Sequence, residues 1–533
     1  MAALGRFTFS SVSAKLAGKC HFQLVAAKPC VFSVRMVQTI SRRFFVGALG
    51  ATALQAGTAN AAGLVQSLRP QMRPAGGTKV AMPAADSLLA ESGVSGQVIY
   101  AVADAKTGRI LEARDVAGGL PPASVAKSVT AIYALETLGA GYRFHTRVIA
   151  VGAVSGGVIQ GDLVLAGGGD PTLDTDGLAD LAKQLKAAGI REVTGRFLVY
   201  GGALPFELQI DDDQPDHAGY NPTVSGLNLN YNRVHFEWRR GNSGYALTMD
   251  ARSNAYRPDV SMAKISVVQR DLPVFGYTDL GGADAWTVAS GALGNGGARW
   301  LPVRKPELYA GEVFQTFARS QGIKLPAPKI ARSAPSGSVL AQLSSAPLRD
   351  VVKDCLKYST NITAEVVGLT ASLKRNGQVR SLRASARLMS AWAEARLGMK
   401  GCKFVDHSGL GDASRVTASS LAQAYAGPVQ QGLLPDLMKP VAIPDRNGKP
   451  IPTHLLKVHA KTGTLNFASG LGGYITTVSG RDLTFAIFAA DLPRRNSLTE
   501  YQKENPPGGR AWNRRARALQ KSLIRRWGVV YDS

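Results

Sequence analysis

Short apolar segments and glycine-containing turns dominate the first third of the chain. Residues 96–104 and 109–113 flank a tight turn, and this pattern predicts a β-hairpin. Beyond Pro122, the apolar positions of residues 125–135 recur near the helical period. We therefore expect a helix in this part of the chain, with Gly139 as its end.

The middle of the chain has a different pattern. Glycine-rich segments typical of strands occur at 161–165, 195–200 and 233–238, and one amphipathic helix is predicted over residues 178–188. We interpret residues 151–340 as an inserted α+β region with its own turns.

Helices and then strands are predicted after residue 341. The predicted helices are 348–373 and 382–397, the predicted strands are 456–460, 472–478 and 483–488, and a basic helix follows at 510–527. Successive strands with short connections indicate an antiparallel meander. The apolar face of the last helix favours packing against the sheet over the alternative, a membrane-surface role.

These elements together predict an α+β fold in which an antiparallel sheet is flanked by helices. Its two parts, residues 62–150 and 341–533, are separated in sequence by the insertion 151–340. A chain of 533 residues is long enough for two or three domains, because single cores rarely exceed roughly 300 residues.

The chain is strongly basic, with a formal net charge of +24. Such a charge favours polyanionic surroundings. No helix-turn-helix, zinc-knuckle or aromatic RNA-binding pattern accompanies it, so we expect no nucleic-acid partner. Peripheral association with an anionic cell envelope is the alternative that we favour.

Residues 1–61 are typical of an export signal. Arg42 and Arg43 precede a short apolar run, residues 46–56, and small residues that end at Ala61. We expect a twin-arginine signal that is cleaved near Ala61 and a periplasmic protein; an uncleaved anchor is the alternative. Met36 lies just before the twin arginines and is a candidate for the true start.

Cysteine and metal patterns are sparse. Cleavage would leave only Cys355 and Cys402, for which pairing and free thiols are equally acceptable. The acidic run 211–213 near His217 lacks the spacing of a calcium loop, and a solvated loop is the simpler interpretation. No Cys-x-x-Cys or His-Glu-x-x-His motif is present, so we expect neither a metal nor an organic cofactor.

The first candidate for catalysis is Ser124. It lies at the predicted helix start with Lys127 three residues later, on the same helical face. A desolvated lysine can take the proton of a serine hydroxyl and so activate it as a nucleophile. The pair alone is weak, because Ser124 could be an ordinary helix cap and Ser261 with Lys264 repeats the spacing beside a predicted strand.

Two further motifs follow in the chain. Ser359 and Asn361 offer a hydroxyl and an amide two residues apart, although a cap-and-turn role is the simpler alternative. Lys461, Thr462 and Gly463 end a predicted strand, where they supply a charge, a hydroxyl and room for a substrate backbone. The same triplet at residues 106–108 lies in the hairpin turn, where the backbone conformation of the turn is enough to explain the glycine.

Ser-x-x-Lys, Ser-x-Asn and Lys-Thr-Gly in this order are the set used by penicillin-recognising serine enzymes. The sequence resembles the low-molecular-mass class C penicillin-binding proteins, the D-alanyl-D-alanine carboxypeptidase/endopeptidases. Segments 167–173, 228–232 and 406–410 are similar to that family as well. Two departures are Thr360, where many relatives have Asp, and His407, where the family usually has Gly.

The resemblance implies a fold like that of DD-peptidases and β-lactamases, with an all-helical subdomain. It also implies roles: Lys127 activates Ser124, Ser359 passes a proton, and Asn361 holds a substrate amide. Lys461 and Thr462 would hold the terminal carboxylate beside Gly463, and the backbone N–H groups of Ser124 and Thr464 would bind the oxyanion. Peptidoglycan peptides are the expected substrates and β-lactam antibiotics the expected covalent inhibitors.

Three alternatives stay open on the sequence. Carboxypeptidase and endopeptidase activities use the same acyl-enzyme, so their balance is not determined. A β-lactamase or esterase of the same fold would turn penicillin over rapidly. A non-catalytic peptidoglycan-binding scaffold would bind muropeptides without cleaving them, and the intact motifs argue against it.

Overall fold

The computed structural model describes residues 82–115, 118–445 and 447–532. The predicted export signal, residues 1–61, lies outside these ranges. None of the helices in the described part of the chain is long and apolar enough to cross a membrane.

The first described segment contains the predicted hairpin and helix. Its elements are α1 (Ala85–Glu91), β1 (Gln97–Asp104), β2 (Ile110–Arg114), a 3-10 turn (Ala123–Val125) and α2 (Ala126–Leu138). Strands β1 and β2 pair antiparallel, which confirms the hairpin. Helix α2 ends where expected, at Gly139, whose φ of +85° is readily adopted only by glycine.

The middle of the chain forms further sheets and helices, and its first and last strands, β3 and β14, cross the predicted bounds of the insertion at residues 151 and 340. Its elements are β3 (His145–Ser155), β4 (Val158–Gly167), α3 (Thr175–Ala187), β5 (Glu192–Val193), β6 (Phe197–Tyr200), β7 (Arg233–Gly241), β8 (Gly244–Asp250), β9 (Ala263–Val268), β10 (Phe275–Asp279), β11 (Asp284–Ala289), β12 (Gly296–Pro302), α4 (Pro306–Ser320), β13 (Pro328–Ile330) and β14 (Ser338–Ser344), with 3-10 turns at Asn230–Asn232 and Ser290–Ala292. One sheet has the order β13-β6-β4-β3-β14, with β5 beside β4. Two three-stranded sheets, β12-β7-β8 and β10-β11-β9, complete the region.

The last segment is helical and then β. Its elements are α5 (Leu348–Tyr358), α6 (Asn361–Asn376), α7 (Leu382–Leu397), α8 (Ala418–Ala424), α9 (Pro428–Leu437), β15 (Lys439–Pro440), β16 (Lys457–Leu465), β17 (Ala468–Thr476), β18 (Asp482–Ala490), α10 (Leu492–Asn496), α11 (Glu500–Glu504) and α12 (Gly509–Val530). The helical run predicted over residues 348–373 is divided into α5 and α6, and Ser359 lies in the break between them, where the motif was expected on a loop. Ser359 has a left-handed φ of +61°, which ends α5 and lets α6 start in a new direction. Helices α8 and α9 were not predicted.

The central sheet joins both ends of the described chain. Its order is β15-β16-β17-β18-β1-β2, and every neighbouring pair is antiparallel, as predicted for the meander. Alternate residues of β1 face opposite sides. Ile99 and Ala101 pack in the core that contains α2 and the helices α5 to α7, whereas Val98 and Tyr100 pack in the core that contains α12.

Helix α12 packs against the sheet through its apolar face. Trp512, Leu519, Leu523 and Trp527 are buried in the core that this helix forms with strands β1 and β16 to β18. This confirms the packing interpretation, because the apolar face of the helix is not available to a bilayer.

The two cysteines among the described residues do not form a disulfide. Cys355 on α5 and Cys402 are both buried free thiols. Burial raises the pKa of each thiol. Both are therefore neutral, poorly nucleophilic groups at neutral pH.

Candidate active site

The three sequence motifs meet on one face of the central sheet. Lys127 Nζ donates to Ser124 Oγ at 2.9 Å and to Asn361 Oδ1 at 2.7 Å. Lys461 Nζ donates to Ser359 Oγ at 2.9 Å. Each lysine thus contacts a serine hydroxyl, and the start of α6 lies between the two pairs.

Ser124 lies in a 3-10 turn immediately before α2. The turn is closed by the bond from Val125 N to Pro122 O at 3.2 Å, and Ala123 has a positive φ of 48°. No side-chain hydrogen bond caps this turn or α2. The helix-cap interpretation of Ser124 is therefore wrong, and its hydroxyl faces Lys127 and the cleft.

Lys127 is 1% exposed and is held on three sides. Its third hydrogen bond goes to the carbonyl of Ser408 at 2.7 Å, so all three N–H groups of an ammonium are used. Burial lowers the pKa of Lys127, and the nearby Cys355, Glu365 and Asp406 oppose part of that shift. A lysine in this state is suited to accept a proton at moderate pH.

Two buried carboxyl groups shape the loop beneath Lys127. Glu365 accepts the backbone N–H groups of His407 and Ser408, each at 2.9 Å. Asp406 accepts those of Gly409 and Gly411, each at 2.6 Å. Burial raises the pKa of both carboxyl groups. The four bonds fix the loop that presents the Ser408 carbonyl to Lys127.

His407, a departure from the family pattern, is fully buried within this loop region. Its Nε2 lies 2.7 Å from Ser385 Oγ, and burial lowers its pKa to about 3. The imidazole is therefore neutral at physiological pH. It is accommodated by Gly368 of α6, since a Cβ at that position would lie only 2.2 Å from His407 Cγ.

The Ser359 side of the site is equally constrained. The left-handed conformation of Ser359 directs its hydroxyl to Lys461, whose Nζ also donates to the carbonyl of Thr462 at 2.7 Å. Lys461 is 1% exposed. Burial, reinforced by the neighbouring charge of Lys127, lowers the pKa of Lys461 well below its usual range.

Strand β16 passes unusually close to the turn that carries Ser124. A Cβ on Gly463 would lie 2.7 Å from Pro122 O and 3.0 Å from Ser124 N. Glycine is therefore required at this position for the close approach of the strand to the turn. Thr464, the next residue, is exposed at the cleft.

A cleft of about 370 Å³ opens over these residues. Ser124, Ser359, Asn361 and Thr464 line it. So do residues that the sequence did not single out: Gln214 and Tyr220 of the insertion, and Asn466, Arg495, Lys503 and Glu504 of the last segment. Because these contacts arise only when distant segments pack together, no motif could have revealed them.

The insertion reaches the cleft through residues 211–220. Asn361 Nδ2 donates to the Tyr220 carbonyl at 2.8 Å. Lys503 Nζ donates to the Asp213 carbonyl at 2.9 Å, and His217 Nε2 lies 3.0 Å from Glu504 Oε2. Among the residues that the structure describes, no cluster of three or more His, Cys, Asp or Glu side chains could hold a metal ion.

The two sequence repeats of the motifs lie elsewhere and have structural partners. The Ser261 hydroxyl donates to Glu312 Oε1 at 2.5 Å, just before β9. In the hairpin turn, Asp104 Oδ1 accepts the backbone N–H groups of Lys106 and Thr107. Neither repeat contributes to the cleft, which agrees with the interpretation made from the sequence.

Comparisons with known proteins give a consistent result. A D-alanyl-D-alanine carboxypeptidase of Actinomadura sp. (strain R39) is 28% identical over 432 residues, 74% of this chain and 78% of the relative. The crystal structure of penicillin binding protein 4 (dacB) from Haemophilus influenzae superposes with a TM-score of 0.67 at 18% identity, covering 83% of this chain and 100% of that one. The same protein complexed with a β-lactam gives a TM-score of 0.63 at 18% identity over the same shares of both chains.

These likenesses confirm the α+β fold and the family resemblance that the motifs indicated. The family described as the D-Ala-D-Ala carboxypeptidase 3 (S13) family matches residues 82–504, most of the chain. The protein is thus a serine hydrolase, and the chain belongs to the D-Ala-D-Ala carboxypeptidase 3 (S13) peptidase family.

Proposed function

We propose that this protein hydrolyses the peptide bond that follows a D-Ala residue in peptidoglycan stem peptides, through an acyl-enzyme on Ser124. The observation that carries the proposal is the 2.9 Å hydrogen bond between Lys127 Nζ and Ser124 Oγ. A buried lysine with a lowered pKa is a competent base for that hydroxyl. The assembled Ser359 and Lys461 pair lies on the same cleft and supports the assignment.

In the acylation step, neutral Lys127 takes the proton of Ser124 while Oγ attacks the carbonyl carbon of the scissile bond. The new C–O bond forms, and the carbonyl oxygen becomes an oxyanion between the backbone N–H groups of Ser124 and Thr464. The close passage of Gly463 beside Ser124 N supports this oxyanion site, since Thr464 follows Gly463 directly and lines the same cleft as Ser124.

The C–N bond then breaks as the leaving amine receives a proton through Ser359. Lys461 lies within hydrogen-bond distance of Ser359 and can replace that proton. The ammonium of Lys127 then returns the proton taken from Ser124 to Lys461 through solvent in the cleft, so that both lysines regain their initial state. In the second half-reaction Lys127 takes a proton from water as the water oxygen attacks the ester carbon, and that proton goes to Ser124 Oγ as the ester C–O bond breaks. Each half-reaction therefore balances without a metal or a redox partner.

Asn361, Lys461 and Thr462 are assigned to substrate binding. Asn361 Nδ2 uses one N–H for Tyr220, which leaves its second N–H for a substrate amide. The buried charge of Lys461 and the partly exposed hydroxyl of Thr462 lie where the terminal carboxylate of the substrate would be attracted.

Labelled penicillin tests the acyl-enzyme. Purified protein is expected to form a covalent adduct on Ser124, and Ser124→Ala is expected to form none. Ser261→Ala is the matched control, because Ser261 has the same spacing to a lysine but is bonded to Glu312. Adduct formation in the Ser124→Ala variant would refute the mechanism, and rapid turnover of penicillin would identify a β-lactamase instead.

The preference between carboxypeptidase and endopeptidase activity needs a second measurement. Crosslinked and monomeric muropeptides are digested separately, and the products are weighed by mass spectrometry. Loss of one terminal D-Ala defines the carboxypeptidase, and conversion of dimers to monomers defines the endopeptidase. Binding of muropeptides without either product, unchanged in Ser124→Ala, would support the scaffold alternative.

We also propose export to the periplasm by the twin-arginine segment in residues 1–61, and association of the basic chain with anionic components of the envelope. Fusing these residues to a reporter tests the first point, and Arg42→Lys with Arg43→Lys is expected to retain the reporter in the cytoplasm. The division that we propose is residues 62–150 and 341–533 for the peptidase domain and 151–340 for the insertion, with the limits moved to 145 and 344 so that strands β3 and β14 stay whole. The mixed origin of the central sheet supports it.

A further inference from the structure

A basic groove runs along the outer face of α12. Five of its lining residues are cationic: Arg510, Arg514, Arg517, Lys521 and Arg525. They recur every three or four residues and therefore lie on one face of the helix, over about 22 Å of its length. The groove has a volume of about 730 Å³ and contains no acidic side chain in its lining. We call it the α12 groove.

The charges of the α12 groove are largely uncompensated. Arg510, Arg514 and Lys521 make no hydrogen bond or ion pair with any residue that the structure describes, and Arg517 reaches only the Thr464 hydroxyl, at 3.2 Å. Like charges spaced four residues apart on a helix repel one another. The first 85 residues of the chain contain no Asp or Glu, so none of their side chains can neutralise this surface. Arg525 donates to the carbonyls of Pro444 and Asp445, each at 3.1 Å, but none of the five cations is paired with a carboxylate of the described residues.

The α12 groove is continuous with the catalytic cleft. Asn513 lines both the groove and the cleft. Asn513 thus marks the junction of the two surfaces. Thr464 lines the cleft and accepts a hydrogen bond from Arg517 of the groove. A chain bound in the cleft can therefore extend into the groove.

The residues of the groove favour a linear anion over a bilayer as the bound partner. The apolar residues of α12 that a membrane would need, Trp512, Leu523 and Trp527, are buried against the sheet. The peptides of peptidoglycan carry free carboxylates along their length, and arginine guanidinium groups match carboxylates in geometry as well as in charge.

We propose that the α12 groove is an extended substrate site that binds the carboxylates of the peptidoglycan peptides beyond the stem held in the cleft. The inference rests on the proposed function, because it assumes that a peptidoglycan peptide occupies the cleft. It assigns to α12 a preference for substrates with several linked stem peptides over short peptides that end at the cleft.

Charge reversal tests the groove with a matched control. The groove variant is Arg514→Glu with Lys521→Glu. The control variant is Arg383→Glu with Arg387→Glu, which makes the same charge change on exposed arginines of α7 that have no described partner. For each protein, kcat/KM on a crosslinked stem-peptide dimer is divided by the second-order rate of acylation by penicillin, which occupies only the cleft.

The ratio is expected to fall about tenfold in the groove variant, since two exposed ion pairs each contribute about threefold, and to stay unchanged in the control variant. The fall should diminish at high salt. An equal ratio in both variants would overturn the groove assignment while leaving the peptidase function intact, whereas absence of penicillin acylation in the unmodified protein would overturn the function itself.

Binding to lipid vesicles tests the competing interpretation, in which the groove binds lipid headgroups. Sedimentation with phosphatidylglycerol vesicles is measured for the same three proteins. If the groove variant alone lost vesicle binding while its substrate ratio stayed unchanged, the groove would be a lipid-headgroup site and the proposal would be wrong. Weak and equal sedimentation of all three proteins is expected.

Discussion

Gly368→Ala is predicted to destabilise the protein through a contact with His407. A Cβ on Gly368 would lie 2.2 Å from Cγ, 2.3 Å from Nδ1 and 2.6 Å from Cδ2 of the imidazole. The ring is not free to withdraw. Its Nε2 is bonded to Ser385 Oγ at 2.7 Å, and its backbone N–H is held by Glu365 at 2.9 Å. Something in the buried core must therefore shift.

The size of the destabilisation follows from overpacking in a core whose atoms have little room to move. We expect Gly368→Ala to lower the free energy of unfolding by about 3 kcal/mol, the upper end for such substitutions. In a His407→Ala background, all three clashing atoms are absent. The same Gly368→Ala change should then raise stability by about 1 kcal/mol, because alanine is the better helix former. The coupling energy between the two positions is thus about 4 kcal/mol.

Urea unfolding, followed by tryptophan fluorescence, measures the four proteins of this cycle. Penicillin acylation is measured in parallel, because displacement of α6 would also move Asn361 away from Lys127. If Gly368→Ala cost the same free energy in both backgrounds, the strain would lie elsewhere and the accommodation of His407 by Gly368 would be refuted.

Three further predictions concern the site and the thiols. Acylation by penicillin should rise with pH through a Lys127 pKa below the ordinary 10.5, since burial favours the neutral base, and a midpoint at or above that value would contradict the assignment. Gly463→Ala should slow acylation roughly tenfold or more and also lower the melting temperature, because a Cβ there would lie 2.7 Å from Pro122 O and displace β16 from Ser124 N; unchanged acylation by the folded variant would contradict the assignment. Cys355 and Cys402 should react with a thiol reagent only after unfolding, and rapid reaction of the native protein would show that they are accessible.

Local signals in the sequence were sufficient for most of the fold. The period-2 and period-3.6 patterns predicted the hairpin β1–β2, the helix α2, the helix α7 and the meander β16–β18. Over residues 348–373 they predicted a helical run with Ser359 and Asn361 on a loop, and the structure divides that run into two helices at the left-handed Ser359. They did not predict α8 and α9.

The candidate site divides in the same way. Ser124, Lys127, Ser359, Asn361 and the residues 461–464 were identified because each motif is local and their order is distinctive. The buried acids Glu365 and Asp406, and the contribution of the insertion through Tyr220, were not identified as parts of the site. Glu365 and Tyr220 act through hydrogen bonds to residues far apart in the chain. Asp406 bonds only within its own loop, and that loop matters because its Ser408 carbonyl reaches Lys127.

By itself, the sequence determined the order of the main elements, the family resemblance and the chemical groups available for acyl transfer. It could not determine that Lys127 also contacts Asn361 and the Ser408 carbonyl, or that cations of α12 adjoin the cleft. Only the tertiary structure decided these points. The pKa of Lys127 depends on its burial and on neighbours from other segments of the chain. A charged side chain becomes part of a binding surface only when folding places it beside the other residues that line that surface.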